Sequence, residues 1–308
     1  MKHIAIIGAG QSAYELFPEK TLRYLFGEVA RDAYTSVDKG FHRSQMEEAF
    51  IGTLGTGGSQ LGNFAPLMAE AEGMIGVPAT HVENACASSG FALRAAILAI
   101  ASGRISVAVA DGVEKMSDLP RERNRLWLGI SCDVEWVRLA GTFPRIYAMM
   151  ARRHMHEFGT RKEDITSVAI KYRANATHNP KAQFRVALVP QKAQTASNLA
   201  APFSLADVCG LTHGASLIIL CDVNRAGEFT DHPVEIVAYG AATDYVANDR
   251  PTMTKLAATR RAAQVAYEMV GIAPEEISFA EVHGCFTIEQ EGIVRYAIKF
   301  APGENIYG

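Results

Sequence analysis

The alternation of short apolar runs with longer helical stretches is the feature that most restricts what this chain can fold into. IAIIGAG (4–10), EEAFIGTL (47–54), THVENA (80–85) and ISVAVADG (105–112) have the length and apolar density of buried strands. Between them, LRYLFGEVARDAYTSVD (22–38), LGNFAPLMAEAEGMIG (61–76) and the segment from Ser88 to Ser102 have helical length and spacing. Repetition of this kind predicts an α/β fold, with a largely buried sheet covered by helices. Residues 116–203 change character: they hold both tryptophans, much of the charge and long polar stretches, and read as an inserted cap of helices and loops. Strand character returns at ASLIILCD (215–222) and PVEIVAYGAAT (233–243). A helix over 254–270, a strand at ISFAEVHG (277–284) and a last helix over 288–300 follow. The chain thus divides into an N-terminal half (1–115), an inserted loop or cap region (116–214) and a C-terminal half (215–308).

A weak internal echo supports two similar halves. Glu47 and Glu48 precede a strand running into Gly52, and Glu275 and Glu276 precede a strand running into Gly284. On that pairing residues 234–300 correspond only to residues 1 to about 76. The counterpart of the strand before Cys86, the helix after it and the next strand is not among the 308 residues, so the second half reads as incomplete.

Composition narrows the class. With 48% hydrophobic and 20% charged residues the chain reads as ordinary soluble globular material. A net charge of −3 supplies no basic field for nucleic acid or an anionic membrane. The N-terminal apolar run is too short for a signal peptide, and no run reaches the roughly 18 residues of a membrane span. The five cysteines are odd in number, scattered and never in CxxC spacing. That argues against a disulfide framework or a structural metal site and points to a reducing, cytoplasmic setting.

Cys86 is the first chemical candidate. It sits where an extended run passes into an Ala/Leu/Ile-rich helix, near the positive end of the helix dipole, which favours a thiolate. Ala85, Ala87, Ser88, Ser89 and Gly90 are small and leave the sulfur approachable. A nucleophilic cysteine and a buried, inert one both fit this local pattern. The second candidate is EVHGCFT (281–287), where His283 and Cys285 flank a glycine and point the same way along an extended segment. Such a pair suits an oxyanion donor beside an acid/base. A metal-ligand pair or plain packing is the bland alternative, but no further Cys or His lies close in sequence to complete a metal site.

Other motifs carry less. GAGQSA (8–13) matches a dinucleotide-binding pattern, but Pro18 interrupts the helix that should follow, so a tight turn at a strand end is expected instead. His213, in THGAS, reads as structural. His154 and His156, among charges in RRHMHEFG, read as a solvated helix face.

Taken together, IAIIGAGQSAY, VENACASSGFALRAAILAIASG, VAVADGVEKMS, EFGTRKEDITSVAIKYRANATHNPKAQFR and HGCFT resemble the thiolase superfamily. The nearest branch is that of sterol-carrier-protein-type thiolases and archaeal acetoacetyl-CoA thiolases. The resemblance runs through essentially the whole chain. It implies two α/β halves stacked as five layers with an inserted loop domain, and pairing of two copies through their core sheets. It implies an acyl-CoA acyltransferase performing Claisen condensation or its thiolytic reverse, with coenzyme A thioesters as substrates and no separate cofactor. By the same resemblance Cys86 takes the acyl group, His283 helps hold the thioester oxygen or its enolate, and Cys285 supplies the second acid/base.

Three departures qualify that implication. Gly284 stands where the branch usually has an acidic residue, and His213 where it has an aspartate. The family's late glycine-rich segment, with the His-Pro pair whose histidine activates the nucleophile, is not among these residues. Either the natural chain continues, as the half-built second sheet suggests, or this is a member without ordinary activity. Two alternatives share the fold: a retro-aldolase acting on a hydroxyacyl-CoA with a small OB-fold, zinc-ribbon partner, and a catalytically weak scaffold subunit.

Overall fold

The computed structural model describes residues 3–116, 118–141, 143–246 and 251–289. In chain order the elements begin β1 (Ile4–Gln11), α1 (Leu22–Thr35), β2 (Glu48–Gly52), α2 (Phe64–Glu72), β3 (Ala79–Val82), α3 (Ser88–Ala101) and β4 (Val107–Lys115). Next come α4 (Arg121–Gly129), α5 (Val134–Ala140), α6 (Phe143–Phe158), α7 (Lys162–Ala176) and α8 (Pro190–Gln194). The short strands β5 (Asn198–Ala200) and β6 (Phe203–Ser204) precede β7 (His213–Asp222), β8 (Val234–Ile236) and α9 (Ala257–Val270). None of the described helices is long and apolar enough to cross a membrane. The chain forms two compact units, Met1–Asn124 with Leu211–Val237, and Arg125–Gly210 with Ala238–Gly308.

The first unit carries a six-stranded sheet in the order β3-β2-β4-β7-β1-β8. β3, β2 and β4 are parallel, joined through α2 and α3, as the strand–helix repetition requires. β7 slots antiparallel between β4 and β1, so strands distant in sequence occupy the middle of the sheet. Phe26 of α1 and Phe64 and Met68 of α2 are fully buried with Ile51, Leu217 and Ile219 of the strands. The two glycines of the GAG run serve this packing. A Cβ on Gly10 would stand 2.2 Å from the Val29 carbonyl oxygen, and one on Gly8 2.9 Å from that of Ala33. The expected tight turn is not formed: β1 continues to Gln11, and the glycines let α1 lie directly on the strand.

Two carboxyls stand in this core without hydrogen-bond partners at ordinary geometry among the described residues. Glu72, closing α2, is 4% exposed and Asp111, in β4, is 3% exposed. Burial pushes both well above the usual carboxylate range, and for Glu72 the neighbouring Asp111 adds to the effect. Groups raised in the folded state favour folding fully only below their unfolded value of about 4. That contribution is lost as pH rises through the raised values, because the unfolded chain ionises first. Asp111→Asn therefore raises stability at pH 8 by on the order of 1 kcal/mol, or about 2–4 °C in Tm, and leaves it unchanged near pH 4. Thermal melts of both proteins across that range check this, and parallel pH profiles would refute it.

The second unit is built on α6, α7 and the segment around Phe286. Ala148, Ala151, Ile165, Phe203, Phe286 and Ile288 form its buried cluster. Asp207, 1% exposed, is clamped by Lys162, by the Thr166 hydroxyl (3.0 Å) and by the Ser204 N–H (2.7 Å). His154 departs from expectation: it is buried, its Nδ1 lies 2.8 Å from the Thr160 hydroxyl, and its ring packs on Phe158. Only His156 is exposed. The expected strand at 277–284 is also absent, and the one expected over 233–243 stops at Ile236. ISFAEVHG has strand composition, but a strand exists only through pairing. None of the described segments pairs with residues 277–284, and Ile277 and Phe279 remain exposed. The expected last helix over 288–300 lies outside the described residues beyond Glu289.

Candidate functional site

Cys86 belongs to the first unit. β3 ends at Val82, and a single 3₁₀ turn over Ala85–Ala87 leads into α3. The turn is tied by side chains: Glu83 Oε1 accepts from the Ala85 N–H at 2.7 Å, and Ser88 Oγ accepts from the Asn84 N–H at 2.9 Å while donating to the Ala85 carbonyl. Ala85 adopts φ +46°, the left-handed region that a side chain disfavours by roughly 1–2 kcal/mol. Strain of this kind persists only where the surroundings impose it. Cys86 is exposed at the start of a helix whose Ala92, Ala96, Ile97 and Ile100 are buried.

Two sheet glycines bring that helix in. A Cβ on Gly52, ending β2, would meet the Ser89 N at 2.6 Å and Cα at 2.7 Å, and one on Gly112 of β4 would meet the Ser89 hydroxyl. Gly52→Ala must therefore push the first turn of α3 away, and the opposing atoms are backbone. The expected cost is about 1–3 kcal/mol of stability. Slower alkylation of Cys86 by iodoacetamide accompanies it, and an unchanged melt with an unchanged alkylation rate would exclude this coupling.

His283 and Cys285 belong to the second unit, and the structure does bring these two together. His283 is exposed and Cys285 half-buried. Cys285 Sγ donates to Glu289 Oε2 at 3.2 Å, and its N–H donates to the same oxygen at 2.9 Å. Glu289 Oε1 accepts from the Tyr147 hydroxyl at 2.5 Å. The Tyr147 ring stacks on Phe286 at 4.4 Å and 15°, and Phe286 packs in turn on Phe203. Burial first, and then the Glu289 carboxylate, push the Cys285 thiol far up, and the same two causes push up the Tyr147 phenol. Both groups are therefore neutral donors around one carboxylate at neutral pH.

Glu289 and Tyr147 were not among the residues singled out from sequence. Glu289 had a local signal, since it lies one helical turn beyond Cys285. Tyr147, 142 residues upstream of Glu289, had none. His213 is 1% exposed, accepts the Phe17 N–H at Nδ1 (2.9 Å) and lies 3.6 Å from Asp118. Desolvation lowers its pKa, so a neutral ring holds two segments together.

Residues 4–204 match the family described as "Thiolase, N-terminal domain". The chain is 35% identical over 291 residues to the acetyl-CoA acetyltransferase of Methanothermobacter thermautotrophicus, covering 94% of this chain and 75% of that protein. A protein of the same name from Methanocaldococcus jannaschii is 35% identical over 295 residues, covering 94% and 74%. Sterol carrier protein 2 of Gallus gallus is 25% identical over 334 residues, covering 100% and 60%. Among solved structures, one titled "Ltp2-ChsH2(DUF35) aldolase" superposes with a TM-score of 0.79 at 22% identity, over 96% of this chain and 76% of that one. At that identity the likeness speaks to fold alone.

Proposed function

The chain belongs to the thiolase family, and from that premise we propose that it transfers acyl groups from coenzyme A thioesters through an acyl-Cys86 intermediate. The observation that carries this reading is an exposed thiol at the start of a helix with one buried face, just after Ala85 in the left-handed region. Cys86 attacks the thioester carbonyl as its thiolate, the carbon–sulfur bond to coenzyme A breaks, and coenzyme A leaves as its thiol with the proton that Cys86 gave up. A second acyl-CoA then loses a proton from the carbon beside its carbonyl, and that carbon attacks the acyl-cysteine to release Cys86. Thiolysis runs the same steps backwards. The names of the archaeal relatives, acetyl-CoA acetyltransferase, favour a short acyl group.

In this reading His283, exposed beside Cys285, donates to the thioester oxygen as charge develops on it. As a thiol Cys285 donates the proton to the substrate carbon in thiolysis, and as a thiolate it takes that proton in condensation; burial and then Glu289 raise the proton affinity of its sulfur. Coenzyme A is substrate throughout, with no separate cofactor needed. That Cys86, His283 and Cys285 serve one substrate is part of the proposal. So is a homodimer: β3 pairs with β2 alone among the described strands, leaving its other edge for a second copy. Light scattering at twice the monomer mass checks the dimer.

Intact-protein mass after mixing with acetyl-CoA and other short acyl-CoAs tests the reaction. One acyl group added at Cys86 supports it. An unchanged mass overturns acyl transfer and favours the retro-aldolase alternative.

A further inference from the structure

Around Cys285, three different ligand types converge. A ring nitrogen of His283, Cys285 Sγ and a carboxylate oxygen of Glu289 all lie within 4.8 Å of one another. At that outer limit a point between them sits about 2.8 Å from each atom, and a small rotation of exposed His283 brings this toward zinc bond lengths of about 2.0–2.3 Å. No third Cys or His lies near this pair in sequence; the atom that completes the set is a carboxylate oxygen of Glu289, four residues beyond Cys285.

The geometry points to a site for a borderline-soft divalent cation, Zn²⁺ in particular, at His283, Cys285 and Glu289. Three observations carry it. The donor set is one sulfur, one nitrogen and one oxygen, which selects zinc over calcium or magnesium, whose ligands are oxygens. The carboxylate is oriented from behind: Tyr147 holds Oε1 and leaves Oε2 facing the sulfur, the outer-shell support that metal-ligating carboxylates use. The exposed position of His283 leaves the cation reachable and a fourth coordination position open to water.

Binding replaces the thiol proton: Cys285–SH and Zn²⁺ give the zinc thiolate and one H⁺ released to solvent. A thiolate held by zinc cannot also exchange a proton with substrate. On the acyl-transfer reading above, and only on it, zinc is therefore a reversible inhibitor of the second half-reaction.

The test uses the chelator-treated chain and Co²⁺ as a spectroscopic stand-in. One equivalent of Co²⁺ should give a near-ultraviolet thiolate-to-cobalt charge-transfer band, which Zn²⁺ then bleaches. The band should survive Cys86→Ser and Cys209→Ser and vanish in Cys285→Ser. His283→Ala, at an exposed position with little risk to folding, and Glu289→Gln should each weaken Co²⁺ binding by about tenfold or more. No band in the unsubstituted chain, or a band retained in Cys285→Ser, overturns the site. The acyl-CoA mass experiment, run with chelator, separates the two readings. An acyl adduct without a cobalt band removes the metal site and leaves the reaction standing; the band without the adduct does the reverse.

Discussion

Cys86→Ala abolishes acyl transfer and leaves the fold intact. The Cys86 sulfur is the one protein atom in the proposed reaction that forms a bond to the acyl group, and alanine keeps the backbone of the turn while removing it. Loss of a covalent nucleophile costs on the order of 10⁴-fold or more, which for this reaction means turnover at the detection limit. The thiol is exposed, and changes at exposed positions move stability by about 0.5 kcal/mol or less. The expected set of results is no mass increase with acetyl-CoA, no exchange of labelled coenzyme A, and a melting temperature within a degree or so of the parent. Retained exchange in the variant, with the parent forming an adduct elsewhere, would transfer the nucleophile's role to another residue.

Cys285→Ala separates the two half-reactions. Loss of an acid/base costs about 10²–10⁴-fold in the step that moves the proton. Acylation of Cys86 does not use Cys285, so the acyl-enzyme should form in a burst and then persist, with condensation slowed by that factor. Because burial and Glu289 hold the thiol far above its ordinary range, its contribution as a donor in thiolysis should be flat from pH 6 to about pH 9, while condensation, which needs its thiolate as acceptor, should speed up as pH rises. Glu289→Gln removes an anion that raises the thiol pKa. Burial, the larger cause, remains, so the thiol pKa falls only part of the way and the rise in condensation rate should begin at lower pH. Rapid-mix mass spectrometry reads the burst, and steady-state profiles read the pH arm. A variant slowed equally in both half-reactions would leave Cys285 with a structural role only.

Much of this was written in local sequence. The strand–helix repetition from residue 4 to residue 112 depends on period and length alone, so β1 to β4 and α1 to α3 fall where the pattern puts them. The position of Cys86 at a strand-to-helix junction is equally local. So is the neighbourhood of His283 and Cys285, two residues apart on an extended segment. What only the tertiary structure decided is what depends on residues far apart in the chain. β7 enters the sheet between β4 and β1, about a hundred residues after β4 ends, and no periodicity encodes that choice. The GAG glycines look like a turn until α1 is laid on β1, and His154 looks solvated until Thr160 and Phe158 close over it. ISFAEVHG is as apolar as a strand, yet pairing, not composition, makes one. Tyr147 reaches Glu289 only after 142 residues of chain have turned back. A sequence states each residue's own preferences within a turn or two. Which distant side chain will answer a carboxylate is set by packing the whole unit, and that is where the electrostatics of Cys285 were decided.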